Sequence, residues 1–426
     1  MKFIGGALLL ILTLFGMPLF AVIAASAMWN FHREGIDLSV MGIEMYRIAE
    51  MPILLAIPLF TFAGYLLSES GAPGRLVRFT QAFLGWLPGG LAIVALAACA
   101  FFTAFTGASG VTIIALGALL YPALAQAGYP ERFNLGLITT SGSLGILFAP
   151  SLPLILYGII AQQMSEGQGV SIDDLFLAGV FPGLLMIVML GGYALWVNRA
   201  NEMTLHRFDA KAALASLKES AWEIPLPIII LGGIYGGWFA VSEAAAVTAI
   251  YVLIVEVFVL REIPLRRLPS LVRESMVLVG GVLVILGVSL ASTNYLIDAG
   301  VPQMLFAYIS EAISSPLTFL LLLNIFLLVL GAILDIFSAL VLVVPLILPI
   351  AAQYGIHPVH LGIIFLANMQ LGYSTPPVGL NLFIASYRFN RPITEIYLAT
   401  IPYLLILLAS VLIITYVPSL SLALID

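Results

Sequence analysis

Four short clusters interrupt long apolar runs in this sequence. They are Thr106-Gly107-Ala108-Ser109-Gly110; Thr139-Thr140-Ser141-Gly142-Ser143-Leu144-Gly145 followed by Pro150-Ser151-Leu152-Pro153; Asp335-Ile336-Phe337-Ser338; and Leu371-Gly372-Tyr373-Ser374-Thr375-Pro376-Pro377-Val378-Gly379-Leu380-Asn381. Glycine permits unusual backbone angles, and proline removes a donor and stops a helix. Hydroxyls and freed carbonyls are hard oxygen ligands, suited to Na+ and unsuited to soft metals. Each break leaves one helix C-terminus, whose carbonyls attract cations, and one helix N-terminus, whose amides attract anions. No Arg or Lys lies well placed within the apolar runs to hold an acidic substrate. An anion would depend on helix N-termini, hydroxyls, Asn381 and nearby bound cations, which couples cation and anion binding in one small volume. Asp335 is the most telling single residue, because an acid at the bilayer centre costs roughly 2.5–3.5 kcal/mol on insertion scales. It reads as a cation ligand or as an N-cap for the helix that follows, and one carboxylate can do both.

The elements that position these clusters are membrane helices. The chain has 426 residues, 62% apolar and 9% charged, against roughly 45–50% and about 25% in a soluble domain. Too few ionic side chains exist to solvate a protein of this length. The chain reads as an all-α polytopic membrane protein, and a soluble enzyme or a nucleic-acid binder is excluded. A span needs about 20 apolar residues, and 3–28, 49–69, 175–198, 224–240, 243–260, 275–297 and 397–424 qualify. The first resembles a signal peptide but exceeds the usual apolar length of about 7–15 residues, so it reads as a retained helix. The stretches 132–163 and 357–388 read as broken spans, and 89–127 and 316–354 as re-entrant hairpins. The segments 199–222 and 262–273 read as amphipathic and cytoplasmic. With a cytoplasmic N-terminus, every basic residue except Arg33 and Arg47 falls inside, from Lys2 and Arg75 to Arg207 and Arg391. The loops near 164–174 and 298–315, with Glu166, Asp173, Asp174, Asp298 and Glu311, fall outside.

That map contains a repeat. A leading region (1–48) precedes a unit at 49–198, made of a span, a connector, hairpin 89–127, broken span 132–163 and an intact span. After a linking region (199–274), 275–426 repeats this order with hairpin 316–354, broken span 357–388 and a last helix. The first unit makes three net crossings and the linking region two, so an odd five crossings separate the starts of the two units; this predicts that they are inverted, an architecture of secondary transporters with sites at the midplane. The remaining polar residues read as structural. His357 and His360 flank Pro358 in a short connector, and Asn324, Asn368 and Gln370 read as bridges between helices. Glu69 and Glu256 sit near span ends, Trp86, Trp196, Trp222 and Trp238 read as interfacial anchors, and Cys99 as a small buried hydrophobe. No nucleophile or metal constellation for an intramembrane enzyme is present.

Several stretches resemble the large membrane subunit of TRAP (tripartite ATP-independent periplasmic) transporters, members of a wider ion-transporter superfamily. They are Pro58-Leu59-Phe60 with Glu69-Ser70-Gly71, the run Gly142 to Tyr157, and His357 to Ile364 continuing through Thr375-Pro376-Pro377-Val378-Gly379-Leu380-Asn381-Leu382-Phe383. The likeness covers nearly the whole chain in order, and departs from the family pattern at the first tip and at Ser141 to Gly145. It implies an elevator-type importer of small organic acids in the bacterial inner membrane, with a transport domain moving against a scaffold, driven by Na+ and using no organic cofactor. It implies two partners, a small membrane subunit and a periplasmic substrate-binding protein. It implies one Na+ among Thr106, Gly107, Ser109, Ser141, Ser143 and Gly145, and another among Asp335, Ser338, Gly372, Ser374, Thr375 and Gly379. The substrate would lie between them, near Ser109, Pro150, Ser151, Thr375, Pro376 and Asn381. The competing expectation is a stand-alone Na+/anion symporter of the same superfamily, without a binding protein.

Overall fold

A computed structural model describes residues 11–13, 15–86, 89–164, 170–199 and 209–425. The expectations for Lys2, Glu166 and Arg207 lie outside these residues. Among them, eight helices are long and apolar enough to cross a membrane, or nine if a pair bent by 40° counts as one span. The chain is therefore a multi-pass membrane protein.

The expected span 3–28 is not continuous. Residues 11–13 are helical, a turn follows at Phe15 and Gly16, and helix α1 (Leu19–Glu34) begins after Pro18. Proline cannot donate into a helix, and Gly16 has φ +89°, so the chain breaks where those two residues stand. Helix α2 (Ser39–Ala49) follows. The first unit then runs α3 (Ala56–Glu69), connector α4 (Ala72–Leu84), hairpin arms α5 (Gly90–Thr106) and α6 (Ser109–Gln126), and the broken pair α7 (Glu131–Ser141) and α8 (Leu152–Met164). It closes with a short α9 (Ile172–Ala178) and the span α10 (Val180–Asn198).

The linking region holds α11 (Ala210–Glu219), α12 (Pro225–Tyr235) and α13 (Val241–Leu253), which continues through a π-helical turn, Ile254–Val259. Helix α14 (Leu268–Asp298) is longer than the expected span 275–297. Its first turns absorb much of 262–273, expected to be a separate surface segment. Pro269 sits at its N-terminus, where a missing N–H costs nothing, so helix starts early and nothing stops it before the membrane. Then come α15 (Val301–Ala312), hairpin arms α16 (Pro316–Ile333) and α17 (Ile336–Gln353), the broken pair α18 (Pro358–Gly372) and α19 (Leu380–Phe389), the span α20 (Ile393–Tyr416) and the short α21 (Ser419–Leu422). The order span, connector, hairpin, broken pair, span occurs twice.

The two units interlock. Arm α17 of the second hairpin packs on α8 of the first broken pair, and α19 of the second broken pair packs on arm α6 of the first hairpin. Helix α3 packs on α13 and α14 and also touches α5. The four tryptophans Trp86, Trp196, Trp222 and Trp238 are exposed, as expected of interfacial anchors. Glu256, expected to be structural or interfacial near a span end, is buried and ion-paired with Arg75.

Candidate functional site

The first hairpin turns within two residues. Gly107 takes a left-handed conformation, φ +64°, and its N–H bonds Thr103 O at 2.8 Å, closing α5. Ala108 is extended and α6 begins at Ser109. A left-handed residue with a Cβ is strained, which explains glycine at this turn. The first broken helix passes directly beside the tip. α7 ends at Ser141, a single 3-10 turn covers Leu144–Leu147, and α8 restarts at Leu152 beyond Pro150. A Cβ on Gly145 would stand 2.2 Å from Ala100 O and 2.3 Å from Ala104 N, so only glycine admits this approach to α5. The freed Gly142 carbonyl accepts from Thr103 Oγ1 at 2.8 Å, and Thr103 and Thr112 hydroxyls pair at 2.7 Å. Thr103 and Thr112 were not singled out from sequence. The signal was there: Thr103 lies three residues before Thr106 and Thr112 three after Ser109, so each shares a helix face with a tip hydroxyl.

The second hairpin turns at Leu334 and Asp335. The Asp335 carboxylate accepts the Phe337 and Ser338 N–H groups at 3.0 Å each, and Ser338 Oγ donates to it at 2.5 Å. Of the two readings of Asp335, this geometry is the N-cap. Asp335 is exposed. Tip and break again join through main chain. Gly379 N–H bonds Ala332 O at 3.0 Å, Ile336 N–H bonds the Tyr373 hydroxyl at 2.8 Å, and Gly372 lies against Gly331. Thr375 Oγ1 donates to Leu371 O at 2.9 Å, while Pro376 is exposed.

Side chains connect the two halves. Ser109 Oγ, at the N-terminus of α6, donates to Asn381 Oδ1 at 2.7 Å, and Asn381 Nδ2 donates to Thr139 O at 3.3 Å. Both Ser109 and Asn381 are buried. Ser143 Oγ lies 3.5 Å from Gln370 O and 3.3 Å from Thr140 O, and Ser141 Oγ turns back to Ile138 O at 3.4 Å. Ser109, Asn381 and Thr139, from three of the four breaks, thus meet in one buried zone. Asp335 and Pro376 are exposed and take no part in these bonds. Asn368 Nδ2 bonds Asn324 Oδ1, so these two hold helices together as expected. His360, expected in a short connector, is instead buried inside α18 and bridges Ser421 Oγ at 3.1 Å and Thr415 O at 3.2 Å.

Four oxygens in or beside the breaks are buried with no hydrogen-bond partner: Thr106 Oγ1, Ser151 Oγ, Ser374 Oγ and Gln370 Oε1. Buried polar groups are ordinarily satisfied, and leaving one unmet costs about 1–3 kcal/mol. Neutral oxygen acceptors of this kind fit a hard monovalent cation. Four helices begin at the breaks, at Ser109, Leu152, Ile336 and Leu380. The first N–H groups at Ile336 are taken by Asp335 and the Tyr373 hydroxyl, while the N-termini at Ser109 and Leu152 suit an anion.

A family model described as the tripartite ATP-independent periplasmic transporter, DctM component, matches residues 6–420. The chain belongs to this family. DctM proteins are transporter permeases, not enzymes. The chain is 35% identical over 429 residues to the C4-dicarboxylate TRAP transporter large permease protein DctM of Rhodobacter capsulatus, covering 98% of this chain and 97% of that one. It is 37% identical over 385 residues to the protein of the same name from Pseudomonas aeruginosa, covering 90% and 88%. The solved structure of the Alcanivorax borkumensis YdaH transporter has the same fold, with a TM-score of 0.64 at 14% identity, covering 88% of this chain and 86% of that one. The four breaks thus lie inside a DctM large permease, a TRAP transporter component.

Proposed function

We propose that this DctM permease imports a small organic acid by Na+ symport, as the large membrane subunit of a TRAP transporter in a bacterial inner membrane with its N-terminus cytoplasmic. A small membrane subunit and a periplasmic substrate-binding protein complete the system. The two units are inverted, and hairpins with broken helices form a transport domain that slides against a scaffold built from the intact spans. The single observation that carries the reading is the Ser109–Asn381 hydrogen bond, which joins the first tip to the second break amid unpartnered oxygens.

One Na+ is held between the first tip and Ser141 to Gly145, where Thr106 Oγ1 awaits a partner. The second is held between the second tip and Gly372 to Gly379, where Ser374 Oγ does. Each positive charge lies beside the N-termini of α6, α8 and α19, so cation binding raises the affinity for a carboxylate among Ser109, Ser151, Thr375 and Asn381. The relatives' names support a dicarboxylate as the substrate class. Cation and acid bound together hide each other's charge, which lowers the cost of carrying the site past apolar scaffold helices.

Uptake of radiolabelled succinate into proteoliposomes, with the partner subunits and an inward Na+ gradient, tests this. Transport is expected with Na+ and lost when choline replaces it. Equal uptake in choline refutes the coupling. Uptake without binding protein and small subunit favours the stand-alone symporter.

A further inference from the structure

Among the described residues, the densest charge cluster lies outside the breaks, at the start of connector α4. Arg75 is buried, and three carboxylates from three other segments surround it. Its Nε donates to Glu223 Oε1 at 2.6 Å, and its Nη2 lies 2.5 Å from the same oxygen and 3.3 Å from Glu256. Its Nη1 donates to Glu262, whose other oxygen accepts the Gly71 N–H at 2.6 Å. Glu223 precedes α12, Glu256 lies in the π-helical turn after α13, and Glu262 is in the loop before α14. Burial pushes the Glu223 carboxyl up against the pull of Arg75. Ser220 Oγ bonds Arg75 O at 3.3 Å, and one turn on Arg78 pairs with Glu219 of α11 at 2.8 Å.

These contacts are all on one side of the connector. The first two turns of α4 pack on α11 and are tied to the segments that lead into α12, follow α13 and precede α14, while α4 also packs along α5, the arm that carries the first tip. We propose that Arg75 is a positioning residue for transport: its guanidinium fork pins the start of the connector to the scaffold, so that the first hairpin moves from a fixed point beyond it. The inference rests on the moving-domain reading above. A planar fork with donors at three nitrogens can hold three carboxylates at once, and a lysine ammonium cannot reproduce that shape. Pinning is a geometric task distinct from neutralising the acids, and the two separate by mutation.

In a Cys99→Ala background, Arg78→Cys with Glu219→Cys is joined by a bismaleimide in membranes that also hold the partner subunits. The cross-link is expected to form equally in Na+ and in choline and to leave most succinate uptake intact. Uptake abolished by the cross-link, or a yield that changes severalfold between the two salts, overturns the pinned connector. Separately, Arg75→Lys is expected to lower the maximal uptake rate about tenfold or more with KM nearly unchanged. Arg75→Gln combined with Glu223→Gln and Glu256→Gln is expected to restore the amount of folded protein without restoring the rate. Recovery of both means that Arg75 only balances charge, and overturns the proposal. A wild type that takes up no succinate refutes the proposed substrate class, and the cross-link yield then decides the connector alone.

Discussion

At the scale of single residues, the pair Ser109 and Asn381 separates binding from folding. The asparagine accepts from Ser109 and donates to Thr139 O, so it is used at both ends of its amide. Asn381→Ala leaves a buried hydroxyl and a buried carbonyl without partners, a cost of about 1–3 kcal/mol. We expect the KM for succinate uptake to rise about tenfold or more, with folded protein still recoverable. Asn381→Asp keeps the acceptor for Ser109 but sets a carboxylate against the Thr139 carbonyl and beside an anionic substrate. It is expected to be the more damaging change, and an Asp variant with wild-type KM would exclude Asn381 from the site. The pairing itself was legible only in part. Ser109 and Asn381 stand out in the sequence as polar residues in apolar runs, but nothing in a linear spacing of 272 residues says that they touch. Arg75 was less legible still: its three acids are spread over the linking region, and each alone reads as an ordinary span-end charge.

At the scale of elements, the hairpins were readable because their signals are local. Each arm is one apolar helix, and each tip holds the residue that its geometry demands, a left-handed glycine in one and a capping aspartate in the other. The arms fall at Gly90–Thr106 with Ser109–Gln126 and at Pro316–Ile333 with Ile336–Gln353, within the expected 89–127 and 316–354. Boundaries outside the hairpins shifted where a proline sits at a helix start, as at Pro18 and Pro269, since hydropathy reads the apolar length and not the cap. Gly107 carries the element-scale prediction. Gly107→Ala forces a Cβ into a backbone with φ +64° and within 2.6 Å of Leu152 Cδ1. The backbone strain alone is roughly 1–2 kcal/mol. The tip is then expected to open away from α8 and to loosen the cation pocket proposed beside Thr106. In purified protein, the rise in Tm produced by Na+ is expected to shrink markedly, while Tm in choline changes little. An undiminished Na+ effect would separate the tip from the cation.

At the scale of the whole molecule, the proposed Na+ symport assigns one cation to each of the two tip–break pairs, and the unpartnered oxygens in and beside them are neutral. The charge that crosses the membrane is then set by the cations and the acid. Two Na+ with a dianion carry no net charge, and two with a monoanion carry one. Each net charge couples to about 2.3 kcal/mol per 100 mV, which is about a fiftyfold change in the accumulation ratio at equilibrium, since roughly 1.4 kcal/mol is tenfold. A potassium diffusion potential, inside negative, is therefore expected to leave dianion accumulation in proteoliposomes unchanged and to raise that of a transported monoanion by this factor. If a dianion responded with the slope of one full charge, a third cation would have to bind, and the equivalence between tip–break pairs and coupling ions would fail. Glu256 and Arg75 sit away from the breaks and pair with each other. Their substitution should therefore change how fast the acid accumulates and leave its voltage slope where the two pockets set it.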